Sequence, residues 1–93
     1  MTIDGIVARV VAFIDEELLD GDVPGGVDAA TPLLQDGLLD SLRTATLLNF
    51  IRSEFGVAVR AQVVSFRNFE TPRTVGLLVA RLLEEQAPRL QAG

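Results

Sequence analysis

Apolar side chains recur at helical spacing in three separate segments, and this pattern limits what the chain can fold into. The first segment covers about residues 3–20, the second Ser41–Phe55, and the third begins at Pro72 and ends before Pro88. Apolar residues recur every three or four positions in each segment, which predicts helices with one buried face. Because 93 residues form only one core, the sequence predicts a small all-α bundle.

Residues that favour helix ends flank all three segments. The predicted N-caps are Thr2, either Asp40 or Ser41, and Thr71, and the predicted C-terminal stops are Gly21 and Gly56. Proline follows Thr71 directly, and proline is favoured at the first position of a helix. Ser65 is expected to cap one further helical turn that ends at Phe69. The sequence thus predicts a four-helix bundle of three long helices and one short helix.

The apolar positions also predict which face of each helix is buried. Aromatic residues make up only 5% of the chain, so the core is expected to be mainly aliphatic. The predicted buried stripes are Ile3, Ile6, Val7, Val10, Phe13, Ile14 and Leu18 in the first helix, Leu47, Leu48, Ile51 and Phe55 in the second, and Val75, Leu78, Val79, Leu82 and Leu83 in the third.

A long connection over residues 21–39 separates the first two helices. Loops of this length are uncommon in compact domains and often have a function. Four leucines in its second half, Leu33, Leu34, Leu38 and Leu39, are expected to attach it to the core and so to position Ser41. A plain tethered linker is the alternative interpretation.

Composition excludes several classes of function. The sequence contains no cysteine and no histidine, which removes disulfides, thiolate chemistry, zinc sites and histidine-dependent catalytic triads. A net charge of −5 argues against nucleic acid as a partner and favours docking on basic patches of larger proteins. No stretch approaches the roughly 20 apolar residues of a membrane span, and no signal peptide is visible. A cytoplasmic protein is therefore expected, and we further expect it to be a monomer.

The chain is expected to form one domain over residues 1–87, followed by a mobile tail over residues 88–93. Its initial methionine, Met1, favours a free-standing protein over an excised domain.

The tripeptide Asp40-Ser41-Leu42 lies where the long loop meets the second helix. The first backbone N–H groups of a helix lack partners and the helix dipole is positive there. A serine hydroxyl at this place suits an attached phosphate, so Ser41 is a candidate for carrying a phosphodiester. The simpler interpretation is that Asp40 and Ser41 only cap the helix.

Three motifs resemble those of the acyl and peptidyl carrier protein family. Residues 37–42, Gly-Leu-Leu-Asp-Ser-Leu, look like the family's attachment motif. Residues 55–59, Phe-Gly-Val-Ala-Val, are similar to the end of the family's second helix and the extended segment after it. Residues 68–71, Asn-Phe-Glu-Thr, resemble a pattern that is commoner in peptidyl and stand-alone aminoacyl carriers than in fatty-acid carriers. The resemblance covers about residues 3–85.

The resemblance implies a carrier rather than an enzyme. The family's serine, here Ser41, holds a 4′-phosphopantetheine arm that a separate phosphopantetheinyl transferase takes from coenzyme A. The arm's thiol would bind cargo as a thioester. The expected partners are that transferase, an adenylating enzyme or acyltransferase that loads the cargo, and a downstream synthase or transferase. No metal site is expected.

Three residues around Ser41 are candidates for partner recognition. Asp40 is expected to contribute to transferase recognition and to capping, although capping alone would explain it. Leu42 is either a partner contact or a partly buried core residue. Arg43 is either an incidental surface charge or a residue that selects partners by charge.

The charge of the second helix bears on the cargo. Fatty-acid carriers usually have carboxylates along this helix, whereas here Glu54 is the only acid after Asp40. An aminoacyl or peptidyl carrier of a natural-product pathway is therefore favoured over a polyketide or fatty-acid carrier.

Two other classes of function stay open at this point. An unmodified helical interaction module would have the same composition and helical pattern. An autonomous enzyme is the weakest alternative, because no spacing brings two carboxylates to one cleft among Asp36, Asp40, Glu54 and Glu70.

Overall fold

A computed structural model describes residues 2–86 of the protein. It contains three α-helices: α1 (Ile3–Ala12), α2 (Ser41–Phe55) and α3 (Pro72–Gln86). A π-helical segment, Phe13–Leu18, continues α1, and a short 3₁₀ helix, Ala61–Val63, follows α2. Residues 2–86 contain no β-strand, so the predicted all-α class is confirmed for the described part of the chain.

The predicted N-caps of α1 and α2 are confirmed by side-chain hydrogen bonds. The Thr2 hydroxyl oxygen accepts from the backbone N–H of Gly5 at 3.0 Å. The Asp40 carboxylate accepts from the N–H of Arg43 at 2.7 Å. Asp40 rather than Ser41 is therefore the N-cap of α2, and the serine is the first residue of the helix itself.

α3 begins with two reciprocal threonine hydrogen bonds. The N–H of Thr71 donates to the hydroxyl oxygen of Thr74, and the N–H of Thr74 donates to that of Thr71, at 3.0 and 3.2 Å. This satisfies two N–H groups at the start of the helix, as a capping box does. At the far end of α2, Gly56 has a left-handed φ of 72°, which confirms it as the predicted stop.

The first helix differs from prediction in its second half. Backbone bonds from residue i to i+5 replace α-helical bonds there, and the N–H of Leu19 donates to the carbonyl of Ile14 at 2.9 Å. The Phe13 ring stacks on Phe50 of α2 with centroids 4.0 Å apart. The helical segment ends at Leu18, and Asp20 and Gly21 then adopt left-handed φ values of 52° and 69°.

α1 crosses α3 at very short range and runs antiparallel to α2. A Cβ atom on Gly76 of α3 would lie 2.5 Å from Cγ2 of Val7, so only glycine permits this approach. Arg9 of α1 forms an ion pair with Glu54 near the end of α2, while Phe13 meets Phe50. These two contacts set the antiparallel register.

The core is built from the three predicted stripes and the loop. Ile3 lies in the first turn of α1 and is 45% exposed, so its predicted burial was wrong. Five other residues of the predicted stripes are only half-buried against the core: Phe13, Leu18, Leu48, Leu82 and Leu83. The buried hydrophobic residues are Ile6, Val7, Val10, Ile14, Leu19, Val27, Leu33, Leu39, Leu47, Ile51, Phe55, Val57, Phe69, Val75, Leu78 and Val79.

The predicted fourth helix is not confirmed. Residues 66–69 form hydrogen-bonded turns, and the 3₁₀ helix Ala61–Val63 lies before them. Ser65 does cap these turns, because its hydroxyl oxygen accepts from the N–H of Asn68 at 3.2 Å. The Asn68 side chain donates instead to the carbonyl of Val63, which holds the segment in a turn rather than a continuous helix. The tail predicted over residues 88–93 lies outside the described residues.

None of the helices within residues 2–86 is both long enough and apolar enough to cross a membrane.

Candidate functional site

The second half of the long loop is fixed through the backbone of Leu33. Its N–H donates to the carbonyl of Glu70 at 2.8 Å, and its own carbonyl accepts from the N–H groups of Leu38 and Leu39 at 2.8 and 3.2 Å. Leu33 and Leu39 are buried, as predicted. One residue therefore joins the entry into α2 to the segment before α3.

The first half of the loop is attached to the start of α3. The Asp28 carboxylate accepts from the N–H of Ala30, and the N–H of Asp28 donates to the Thr31 hydroxyl, both at 2.8 Å. This turn presents the carbonyl of Ala29, which accepts from the N–H of Arg73 at 3.0 Å. The connection is thus held at two places and is not a free linker.

Ser41 lies exposed at the N-terminal end of α2. Asp40 accepts from the N–H of Arg43 through its carboxylate and from the N–H of Thr44 through its carbonyl. Within residues 2–86, the N–H groups of Ser41 and Leu42 make no hydrogen bond. The serine hydroxyl therefore lies beside unpaired donors at the positive end of a helix dipole.

The surroundings of Ser41 do not activate it as a nucleophile. The chain has no histidine or cysteine to act as its base, and the carboxylate of the preceding residue, Asp40, is engaged in capping. Among residues 2–86 no group of three acidic side chains could hold a metal ion. An exposed hydroxyl beside free N–H groups instead fits an attached anion.

Leu42 is the most exposed large apolar side chain among residues 2–86, with 76% of its surface accessible. It lies off the stripe of Leu47, Ile51 and Phe55 that faces the core. Partial burial, one of the two alternatives for Leu42, is therefore excluded. An exposed leucine directly beside Ser41 is available for contact with another molecule.

Arg43 lies on a different flank of α2 from Ser41. It is half-buried and shares helical spacing with Leu47, Phe50 and Glu54. Phe50 stacks on Phe13 of the π-helical segment, and Glu54 pairs with Arg9 of α1. Residues two positions apart on a helix do not face each other. Asp40, Ser41 and Leu42 lie side by side and exposed at the start of α2, whereas Arg43 is half-buried.

No protein-family model matches the chain. A curated relative, the probable acyl carrier protein PigG of Serratia sp. (strain ATCC 39006), is 32% identical over 75 residues, which cover 81% of this chain and 85% of the relative. The chain belongs to the acyl carrier protein family. It is therefore a carrier and not an enzyme.

A solved structure agrees with this carrier fold. A chain in the crystal structure described as an FAD-dependent dehydrogenase is 35% identical to the carrier and superposes with a TM-score of 0.73. The alignment covers 77% of the carrier and 100% of that chain. The similarity therefore extends over the full length of that other chain, which is slightly shorter than this carrier.

Two features of the carrier surface were missed from the sequence. The first is a groove of about 280 Å³ at the far end of α2, lined by Leu48, Asn49, Arg52, Ala58 and Val59, which depends on how the segment after α2 packs and has no signal in the sequence. The second is Phe66, which is 58% exposed because its segment forms turns rather than a packed helix.

Proposed function

We propose that the protein carries an acyl, aminoacyl or peptidyl group as a thioester on a 4′-phosphopantetheine arm attached to the hydroxyl of Ser41. The observation that supports this most strongly is the exposed Ser41 hydroxyl at the start of α2, beside the unpaired N–H groups of Ser41 and Leu42. When bound, the arm supplies the thiol that the cysteine-free chain lacks.

The protein's own residues present the arm and do no chemistry on the cargo. Asp40 fixes the first turn of α2, so the Ser41 oxygen that carries the phosphodiester would have a fixed position. Leu42 is placed to contact partner enzymes, and Asp40 to contribute to recognition by the transferase. Arg43 is half-buried and would contribute to recognition less than the exposed Leu42.

We infer that the cargo is an aminoacyl or peptidyl group of a natural-product pathway. Glu54 is the single carboxylate within α2, and it is paired with Arg9 of α1, whereas fatty-acid carriers are expected to have several carboxylates along this helix. A polyketide or fatty-acid cargo is the second candidate. Since the arm comes from coenzyme A, a metabolite of the cytoplasm, we place the carrier in that compartment and expect it to act as a monomer.

The attachment is tested by intact mass after incubation with coenzyme A and a broad-specificity phosphopantetheinyl transferase. We expect one phosphopantetheine increment on the wild type and none on Ser41→Ala. Because Ser41 is exposed, the variant should fold normally, which circular dichroism checks. An unmodified but folded wild type would support an arm-free interaction module instead.

The cargo class is tested on the holo-protein. A panel of adenylating enzymes with their amino acids is offered beside acyltransferases with acyl-coenzyme A donors, and the products are identified by mass. An aminoacyl thioester is expected. Acceptance of fatty acyl groups alone would overturn the natural-product assignment while leaving the carrier role intact.

A flavin-dependent dehydrogenase is a further proposed partner. The support is the chain of carrier size, 35% identical to this one, in the structure of an FAD-dependent dehydrogenase. Such an enzyme would oxidise the loaded thioester by moving two hydrogens from the cargo to FAD. Incubating the loaded carrier with that dehydrogenase should lower the cargo mass by two hydrogen atoms. An unchanged cargo mass, with a dehydrogenase whose flavin can still be reduced, would contradict this proposed partner.

A further inference from the structure

We propose that the carrier binds a free α-amino acid with an apolar side chain in a groove at the end of α2 that is remote from Ser41. The groove lies between the segment that follows α2 and the last turns of α3, and its volume is about 450 Å³. Ser41 is the first of the 15 residues of α2. At about 1.5 Å per residue, the groove is roughly 20 Å from Ser41 along the helix axis. The site is therefore separate from the arm, and the proposal goes beyond the carrier function.

The floor of the groove is apolar. Val57 and Val63 form it on one side, and Leu82 of α3 forms it on the other. Val57 is buried, whereas Val63 and Leu82 are half-buried against the core. Half-buried side chains leave apolar surface in contact with water, and an apolar ligand would cover that surface. The volume also lies within the range of about 300–1,000 Å³ that is common for small-molecule sites.

Hydrogen bonds hold the two walls of the groove in place. The side-chain amide of Gln86 donates to the carbonyl of Gly56 at 3.1 Å, which joins the end of α3 to the stop of α2. The N–H of Val63 donates to the carbonyl of Arg60 at 3.0 Å, and the Asn68 side chain donates to the carbonyl of Val63 at 2.8 Å. Because the walls are already ordered, a small ligand would have little conformational entropy to offset.

The two walls carry opposite charges. Arg60 lines the wall after α2 and Glu85 lines the wall of α3, and both are exposed. In the described part of the chain, the side chains of Arg60, Glu85 and the lining residue Gln62 form no ion pair or hydrogen bond. The groove thus holds one unpaired cation and one unpaired anion around an apolar floor.

An α-amino acid has the complementary groups. Its carboxylate suits the guanidinium of Arg60, its ammonium group suits the carboxylate of Glu85, and an apolar side chain suits the floor. A simple anion or cation would pair with only one of the two charged residues. An uncharged apolar molecule would pair with neither.

The experiment follows the backbone amide shifts of the full-length apo protein by NMR during titration with leucine. Because the apo form is used, the result does not depend on attachment at Ser41 or on the cargo. Three analogues each lack one feature of leucine: N-acetylleucine the ammonium group, leucinamide the carboxylate, and glycine the apolar side chain. Arg60→Gln and Glu85→Gln are compared with Arg81→Gln and Glu17→Gln, which make the same changes at exposed positions outside the groove.

We expect leucine to cause saturable shifts in residues 57–63 and 82–86 but not at Ser41. The dissociation constant should be on the order of 1 mM, because a ligand this small gains limited binding free energy. Each analogue should bind at least about fivefold more weakly, because each lacks one favourable contact.

The variants assign each charged contact. Arg60→Gln should weaken leucine binding and remove the difference between leucine and leucinamide, and Glu85→Gln should remove the difference between leucine and N-acetylleucine. The spectrum of each variant shows whether it is folded. Arg81→Gln and Glu17→Gln should bind leucine as the wild type does.

Three results would overturn the proposal. They are the absence of saturable shifts with leucine, equal binding of leucine and its analogues, and equal weakening by Arg60→Gln and Arg81→Gln. Each would leave the attachment at Ser41 unaffected, since intact mass tests that attachment separately.

Discussion

The carboxylate of Asp40 and the backbone N–H of Arg43 are joined by a 2.7 Å hydrogen bond that spans Ser41 and Leu42. This bond sets the first turn of α2 and therefore the place of the Ser41 hydroxyl. Loss of a carboxylate N-cap usually costs about 1 kcal/mol. We expect Asp40→Ala to lower the free energy of unfolding by about that amount, as measured by urea denaturation.

The same position can separate capping from recognition. Asp40→Asn keeps an N-cap oxygen and removes the charge, so it should retain most of the stability. If the transferase modifies Asp40→Asn as fast as the wild type, Asp40 acts through the cap alone. Asp36→Ala, at an exposed loop position, serves as the control for removing a carboxylate nearby.

Leu42 and Leu47 form a matched pair on α2, one 76% exposed and the other buried. We expect Leu42→Ala to change the free energy of unfolding by less than about 0.5 kcal/mol, because surface substitutions rarely do more. Leu47→Ala should cost about 2–5 kcal/mol because it leaves a cavity. Urea denaturation compares the two, and a large loss in Leu42→Ala would mean that Leu42 belongs to the core.

The crossing of α1 and α3 depends on Gly76. Since a Cβ there would lie 2.5 Å from Cγ2 and 3.1 Å from Cα of Val7, Gly76→Ala should cost about 1–3 kcal/mol through overpacking. Thermal and urea unfolding would measure the loss.

A double variant identifies the cause of that loss. Val7→Ala removes the closer of the two contacting atoms, so its effect combined with Gly76→Ala should be smaller than the sum of the single effects. If the two losses in the free energy of unfolding add exactly, contact with the Val7 side chain is not the cause of the Gly76→Ala effect.

Leu33 and Leu34 are neighbours with different surroundings, since Leu33 is buried and Leu34 only half-buried. Leu33→Ala should cost about 2–5 kcal/mol and should also speed the exchange of the amide hydrogens of Leu38 and Leu39, which bond to the Leu33 carbonyl. Leu34→Ala should have a smaller effect on both. Equal protection in the two variants would show that Leu33 does not hold the loop.

Sequence reasoning was most accurate where structure depends on neighbouring residues. The bounds of α2 were predicted as found, because Asp40 and Gly56 act through local hydrogen bonds and backbone conformation. The position of Ser41 at the start of that helix followed from the same local signals.

Features that depend on contacts between residues far apart in the chain were not predicted from the sequence. The π-helical segment from Phe13 places its ring against Phe50, which lies far along the chain. The turns after Ser65 depend on the bond from Asn68 to Val63. The partial burial of Arg43 also depends on packing between elements, which no single helix reveals.

The bonds at Leu33 determine how the carrier would deliver its cargo. Because the loop before Ser41 is fastened to the segment before α3, the base of the arm would leave the protein at one fixed point and in one direction. Cargo would then reach successive enzymes by rotation of the bonds within the arm and by reorientation of the whole carrier. The loop would not need to open, and a change of partner would require release of one docked complex and formation of the next.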